Sequence, residues 1–306
     1  MVVLMLPQRR GLMTITRLVR VVSLTLSLAV TLALAADPAR AQDLQGTLKK
    51  IKDSGTITLG YREQSVPFAF KGDDGKPAGY SVDLCKSVVT GVQQQLKLQK
   101  LDVKWVPVTV DTRISAVVGG TIDLECGSTT NTLSRQEQVD FSNMTFVDGG
   151  SLLVKTTATL TSFQDFGGKK VGVIPGTTTE AALRGALQKA LVTAQIMPVK
   201  DHREGLTGVE NGTLDAYASD RVILIGLAVT AKDPALFAIA DTYLSYEPYG
   251  LMLRRGDAAF RLSVNRALSQ LYRSGEIMQI YGRWFGKLGK PGNLLLAMYA
   301  LNAIPE

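Results

Sequence analysis

The chain holds one histidine and two cysteines in 306 residues, and this scarcity removes several kinds of chemistry. A lone imidazole, His202, cannot build a histidine-based metal site or a triad of several histidines. Neither Cys85 nor Cys126 sits at a spacing suited to zinc or redox work. The Asp73-Asp74-Gly75 turn lacks the ligand run and closing glutamate of a calcium loop, so no metal and no cofactor is expected. No segment after residue 41 is apolar for the roughly 20 residues that span a bilayer; Leu294 to Ala303 is too short and reads as a packed terminal helix. Clustered basic charge is missing as well. The formal charge is +7, but five arginines and one aspartate lie in the first 41 residues, leaving 29 basic against 26 acidic residues, or +3. These charges are scattered and give no footprint for nucleic acid.

What is present begins with a targeting pattern. Arg9, Arg10, Arg17 and Arg20 precede the apolar run Val21 to Ala36, and Ala39-Arg40-Ala41 stands ahead of Gln42. Basic start, apolar core and small-residue site are the order of a secretory signal peptide. The alternative, an uncleaved anchor, needs a longer core. Residues 1–41 are therefore expected to be a signal peptide cleaved near Ala41, and the flanks of Arg9-Arg10 match a twin-arginine signal poorly. The compartment this implies permits disulfides, so Cys85, in an expected helix, and Cys126, at a strand end, are compatible with one bridge or with two buried thiols.

The remaining 265 residues suffice for one large or two medium domains. From Gly55 short apolar strands alternate with amphipathic helices, the pattern of α/β layers with a mostly parallel sheet. Strands are expected at Thr56–Tyr61, Val103–Val108 and Asp123–Cys126, and helices at Tyr80–Leu98 and Arg113–Val118. A second block gives strands Lys170–Ile174, Ala194–Pro198 and Ala216–Ser219, with helices Thr178–Lys189, Arg203–Asn211 and Arg221–Val229. Strand Tyr249–Arg254 leads into helix Ala258–Arg273, where Phe260, Val264, Leu268 and Leu271 recur at helical spacing. The tail has no sheet of its own and should return to the first lobe. That sets lobe 1 as residues 42–149 with 250–306 and lobe 2 as residues 150–249, with two crossings of the kind a hinge requires.

Two segments carry the chemistry. In Glu125-Cys126-Gly127-Ser128-Thr129-Thr130-Asn131-Thr132-Leu133-Ser134-Arg135 a strand ends in a hydroxyl-rich loop, and Ser134-x-x-Glu137 reads as a capping box opening a helix. The second block repeats this in Pro175-Gly176-Thr177-Thr178-Thr179-Glu180, with Thr177-x-x-Glu180 as the box. Free backbone N–H groups at helix starts favour an anion, so two such ends on hinged lobes make a clamp for a carboxylate. The lysine of a phosphate-binding loop is absent, which disfavours nucleotides.

In order and spacing, Tyr61-Arg62-Glu63-x-Ser65-Val66-Pro67-Phe68, Arg113, the Glu125–Asn131 run, Gly176-Thr177-Thr178 and Lys200-Asp201-His202 closely resemble the periplasmic glutamate/aspartate-binding proteins of ABC importers. The resemblance covers about Leu44 to Phe285. It implies a two-lobed periplasmic binding protein type II fold, each lobe a mostly parallel sheet flanked by helices, joined by two hinge strands. It further implies a monomer whose partners are L-glutamate or L-aspartate and the membrane subunits of an importer. By position, Arg135 resembles the partner of the ligand α-carboxylate, with Thr178 adding a donor. Ser128, Thr130 and Asp220 resemble the contacts to the α-amino group. Arg62, Arg113 and His202 resemble the group around the side-chain carboxylate, three cationic or potentially cationic groups that would reject an uncharged or basic amino acid. Read singly, Arg62 also fits a strand-end surface residue, Asp220 a helix cap and His202 a cap neighbour. Where the family pattern has a serine, this chain has Val110, which leaves the choice between glutamate and aspartate open.

Two other functions suit the same architecture, since fold does not fix function. An exported enzyme such as cyclohexadienyl dehydratase would need an acid or base aimed at the reacting group, and the expected cleft leaves only His202 unassigned to charge pairing. A glutamate-sensing receptor module would bring a membrane span or signalling domain, which the sequence after the second block does not offer. The expectation is a binding protein, not an enzyme.

Overall fold

The computed structural model describes residues 44–306 except 159 and 161. The signal-peptide and cleavage expectations concern residues outside that set.

The described chain folds around two five-stranded sheets. Helix α1 (Gly46–Ser54) leads to β1 (Thr56–Tyr61), followed by a small antiparallel sheet of β2 (Gln64–Ser65), β3 (Ala69–Lys71) and β4 (Pro77–Ala78). The chain continues through α2 (Tyr80–Gln95), β5 (Asp102–Pro107), α3 (Arg113–Val118), β6 (Leu124–Glu125), α4 (Leu133–Gln136) and β7 (Val139–Asp148). The second sheet is built from β8 (Gly150–Lys155), β9 (Lys170–Val173), α5 (Thr178–Lys189), β10 (Gln195–Pro198), α6 (His202–Asn211), β11 (Ala216–Asp220), α7 (Arg221–Thr230) and β12 (Phe237–Ile239). Strand β13 (Glu247–Arg254) then returns to the first sheet, and α8 (Ala258–Ser274), α9 (Ile277–Phe285) and α10 (Asn293–Asn302) close the chain.

The strand orders are β5-β1-β6-β13-β7 and β10-β9-β11-β8-β12. In both, the first three strands pair in parallel and the next two pairings are antiparallel. Four of the five strands in each sheet therefore point the same way. Five of the six β1 residues are buried, as expected of a parallel strand covered by helices on both faces.

Core packing follows the sequence periodicity. Phe260, Val264, Leu268 and Leu271 of α8 are all buried. Gly91 of α2 lets that helix approach α8 closely, since a Cβ there would lie 3.1 Å from the Ala267 side chain. Phe68 packs against Phe146, Tyr249 and Phe285 at centroid distances of 4.9, 5.2 and 5.5 Å. Cys85 and Cys126 are joined, with Cα atoms 6.1 Å apart. This bridge closes a 41-residue separation, for which chain entropy alone gives about 4 kcal/mol of stabilisation, and it ties α2 to the loop after β6.

Helix and strand boundaries differ from expectation by a few residues. Helix α2 stops at Gln95 because Lys97 adopts a left-handed φ of 51°. Asp123 lies outside β6: its carboxylate instead accepts the Thr58 N–H at 2.8 Å and pairs with Lys50 at 2.7 Å.

Candidate functional site

Open parallel sheets present ligand sites beyond the carboxyl ends of their strands. All eight residues singled out in the sequence lie there, and all eight line one small cavity that is partly open to solvent. Arg62 follows β1, Ser128 and Thr130 follow β6, and Arg113 opens α3 after β5; Arg135 sits in α4. From the other sheet, Thr178 opens α5 after β9, His202 opens α6 after β10, and Asp220 ends β11. Seven are buried and Thr178 is half-buried.

The loop after β6 is held on both sides. Asn131 N–H donates to the Pro248 carbonyl at 2.7 Å, Thr130 bridges to Tyr249, and Ser81 Oγ donates to the Gly127 carbonyl at 2.8 Å. Gly127 is required by close approach, because a Cβ would fall 2.1 Å from Glu125 Oε1. Beneath the loop runs a relay: Arg113 Nη1 donates to Thr129 Oγ1 at 2.9 Å, which donates to Glu125 Oε2 at 2.8 Å. Arg113 Nε and Glu125 Oε1 are buried without a partner.

Both capping boxes are corrected. The first helix is capped by Thr132, whose Oγ1 accepts the Arg135 N–H at 3.2 Å; Ser134 lies inside the helix and Glu137 ends it. Thr132 wins because it holds extended backbone angles (φ −123°, ψ 153°) one residue before the turn. With only four residues, α4 supplies little dipole. Arg135 contributes through its side chain, anchored by Nη1 on the Thr130 carbonyl at 2.8 Å. The second box is half formed. Thr177 Oγ1 accepts the Glu180 N–H at 3.1 Å, but Glu180 Oε2 accepts from Gly176 N–H at 2.9 Å, one residue before the cap.

Asp220 is no helix cap: it occupies the cap position of α7 without a capping bond. Its Oδ1 accepts from Thr179 Oγ1 at 2.9 Å and its Oδ2 from the Tyr249 hydroxyl at 2.5 Å. Burial, then the Glu247 charge, raises its carboxyl to about 6. Asp148 is raised to about 7, first by burial and then by Asp220.

Among the described residues none of Arg62, Arg113 and Arg135 pairs with a carboxylate at ion-pair distance. Burial lowers all three, and Arg62 and Arg135 reach about 10 with the Arg113 charge as the next cause. They remain cationic at neutral pH. His202 does not. Burial, then Arg62 and Arg113, depresses it to about 3, so the expectation of a third cation becomes a neutral imidazole, with Nδ1 2.7 Å from the Tyr217 hydroxyl. Val110 lines the same cavity and faces Gly176, whose Cβ position is 3.8 Å from Val110 Cγ1.

Sequence reasoning passed over the buried supports of this cavity. Glu125 stood inside the quoted motif without a role. Glu247, fully buried at the start of β13, was not singled out, although an acid entering an apolar strand is the signal that would have found it.

Two facing sheets with a polar cleft between their strand ends define a two-lobed binding protein of the type II periplasmic class. Consistent with this, residues 57–287 match the model of the bacterial extracellular solute-binding proteins, family 3, and the chain belongs to that family. It is 44% identical over 278 residues to the L-glutamate/L-aspartate-binding protein of Pseudomonas aeruginosa, covering 90% of this chain and 92% of that one. It is 36% identical over 271 residues to the glutamate/aspartate import solute-binding protein of Escherichia coli, covering 89% of each. Among solved structures, an ancestral arginine-binding protein bound to glutamine matches with a TM-score of 0.67 at 29% identity, covering 76% of this chain and 98% of that one. An ancestral amino-acid-binding protein described as a precursor of cyclohexadienyl dehydratase matches with a TM-score of 0.68 at 29% identity, covering 79% and 100%.

Proposed function

We propose that this protein captures L-glutamate or L-aspartate between its lobes and hands it to the membrane subunits of an ABC importer. The observation that carries the reading is three buried guanidiniums that lack carboxylate partners among the described residues and face an acidic wall at Asp220. Buried cations of this kind are costly unless an anion completes them. Arg135 takes the α-carboxylate with its planar fork, helped by the Thr178 N–H at the start of α5. Ser128, Thr130 and Asp220 receive the ammonium. Arg62 and Arg113 hold the side-chain carboxylate. His202, neutral, adds an Nε2–H donor when the Tyr217 hydroxyl donates to Nδ1.

The lobes divide as residues 42–149 with 250–306 and residues 150–249. The hinge passes through Gly149 and the Ser245–Tyr249 segment, where a Cβ on Gly149 would lie 2.6 Å from the Ser245 carbonyl oxygen. Ligand bridges the lobes and populates the closed form. The protein works as a monomer in the periplasm, after removal of the signal peptide near Ala41. The test is calorimetric titration of ligand-stripped mature protein with L-glutamate, L-aspartate, L-glutamine, L-arginine and prephenate. One-to-one binding of an acidic amino acid is expected; silence toward both acids, or turnover of prephenate, refutes the reading.

A further inference from the structure

Glu247 stands outside the cavity lining, yet it collects the hydroxyls that shape one end of it. Its Oε2 accepts from Thr130 Oγ1 at 2.5 Å and from Thr178 Oγ1 at 2.7 Å, and its Oε1 accepts from Ser245 Oγ at 2.5 Å. Thr130 belongs to the loop after β6 and Thr178 to the first turn of α5. One carboxylate, on the strand that crosses back to the first sheet, therefore binds cleft residues contributed from both sheets. A hydroxyl has a single proton, so an oxygen that gives it to Glu247 can only accept from anything else. The two threonine oxygens are 3.3 Å apart, and with both protons on Glu247 their remaining lone pairs are left for the cleft.

We infer that Glu247 is the positioning residue that selects a protonated amine: by holding the Thr130 and Thr178 protons it presents two acceptor oxygens beside Asp220. This inference rests on the acidic-amino-acid reading above. Without Glu247 the same hydroxyls are free to turn a proton toward the ammonium, and the cleft loses part of its preference for an amino acid over the matching plain dicarboxylate, Asp220 keeping the rest. A leucine at 247 keeps the bulk and accepts nothing, so the Thr130 and Thr178 protons are both released.

The experiment is calorimetric titration of the mature wild-type protein and of Glu247→Leu with two pairs: L-glutamate against glutarate, and L-aspartate against succinate. The expected result is a fall of about tenfold or more in the preference for the amine-bearing member, as for loss of a hydrogen bond to a charged group, with the plain dicarboxylate nearly unchanged. Equal weakening of both members, which a merely structural role gives, overturns the inference, and so does an unmoved preference. A wild-type protein that binds none of the four overturns the acidic-amino-acid reading itself. Should Glu247→Leu lack the circular-dichroism spectrum of the wild type, Thr130→Val carries the test: it removes an accepting oxygen and keeps Glu247, and a preference that does not fall refutes the inference.

Discussion

In the first lobe the carboxyl ends of β1, β5 and β6 lead to Arg62, Arg113 and Ser128; in the second the matching ends of β9, β10 and β11 lead to Thr178, His202 and Asp220. Arg113 and His202 even hold the same place, the first residue of the helix that follows the edge strand. The plan is shared and the charge is not. All three guanidiniums come from the first lobe, while the second supplies an acid, a neutral imidazole and a helix N-terminus. Topology thus fixes where the side chains meet, and burial together with the charges around the cavity sets their ionisation. His202 is neutral because burial, joined by Arg62 and Arg113 of the opposite lobe, keeps a proton off it. The first lobe also carries the disulfide, which anchors the Ser128 loop against α2.

Removing the first lobe's charge should break the clamp most severely. Arg113→Ala is expected to weaken acidic amino-acid binding by about thirtyfold or more, because losing one partner of a buried charge pair costs roughly 2–5 kcal/mol; calorimetry reads the loss directly. Breaking the second lobe's contribution should cost less. Asp220→Asn keeps the shape and removes the ammonium's counter-charge, for an expected loss of about ten- to hundredfold, from the roughly 1.5–3 kcal/mol of a charged hydrogen bond.

The same acid makes a pH prediction. Folding raises Asp148 to about 7 and Asp220 to about 6, so the ligand-free fold binds more protons at these sites than the unfolded chain does. Their contribution is complete below the ordinary carboxyl value and is lost as pH rises through 6 to 7. His202, depressed to about 3, acts in the opposite sense between its ordinary value and 3, but it is one group against two. Thermal melts of ligand-free protein should therefore fall between pH 5 and pH 8. An ammonium at Asp220 favours the ionised carboxyl, so affinity should drop as pH falls below about 6. The smallest change sharpens specificity. Val110→Ser puts a hydroxyl on the cleft wall and should tighten acidic amino-acid binding by less than about tenfold, the scale of one neutral hydrogen bond; titration with both acids would show which gains more.

Much of this architecture was legible in the sequence. Thr56–Tyr61, Arg113–Val118 and Thr178–Lys189 appear where strand alternation, helical periodicity and cap chemistry place them. Ordered motifs brought all eight cleft residues to one cavity. What escaped was either a competition between near-equal neighbours or a property of assembled space. Thr132 and Ser134 are both good caps, and only the backbone angles choose Thr132. His202 reads as a switchable cation until burial, with the charge of two arginines from a distant part of the chain, acts on it. Glu247 lies 117 residues from Thr130 and 69 from Thr178, and no local pattern announces a carboxylate shared at that range.

The most direct measurement is the crystal structure of the ligand-stripped mature protein grown with L-glutamate or L-aspartate. One molecule is expected in the cleft, its α-carboxylate on Arg135 and the Thr178 N–H, its ammonium on Asp220, and its side-chain carboxylate between Arg62 and Arg113. A cleft that stays empty at saturating glutamate and at saturating aspartate, or a ligand whose side-chain carboxylate avoids Arg113, would contradict this binding mode.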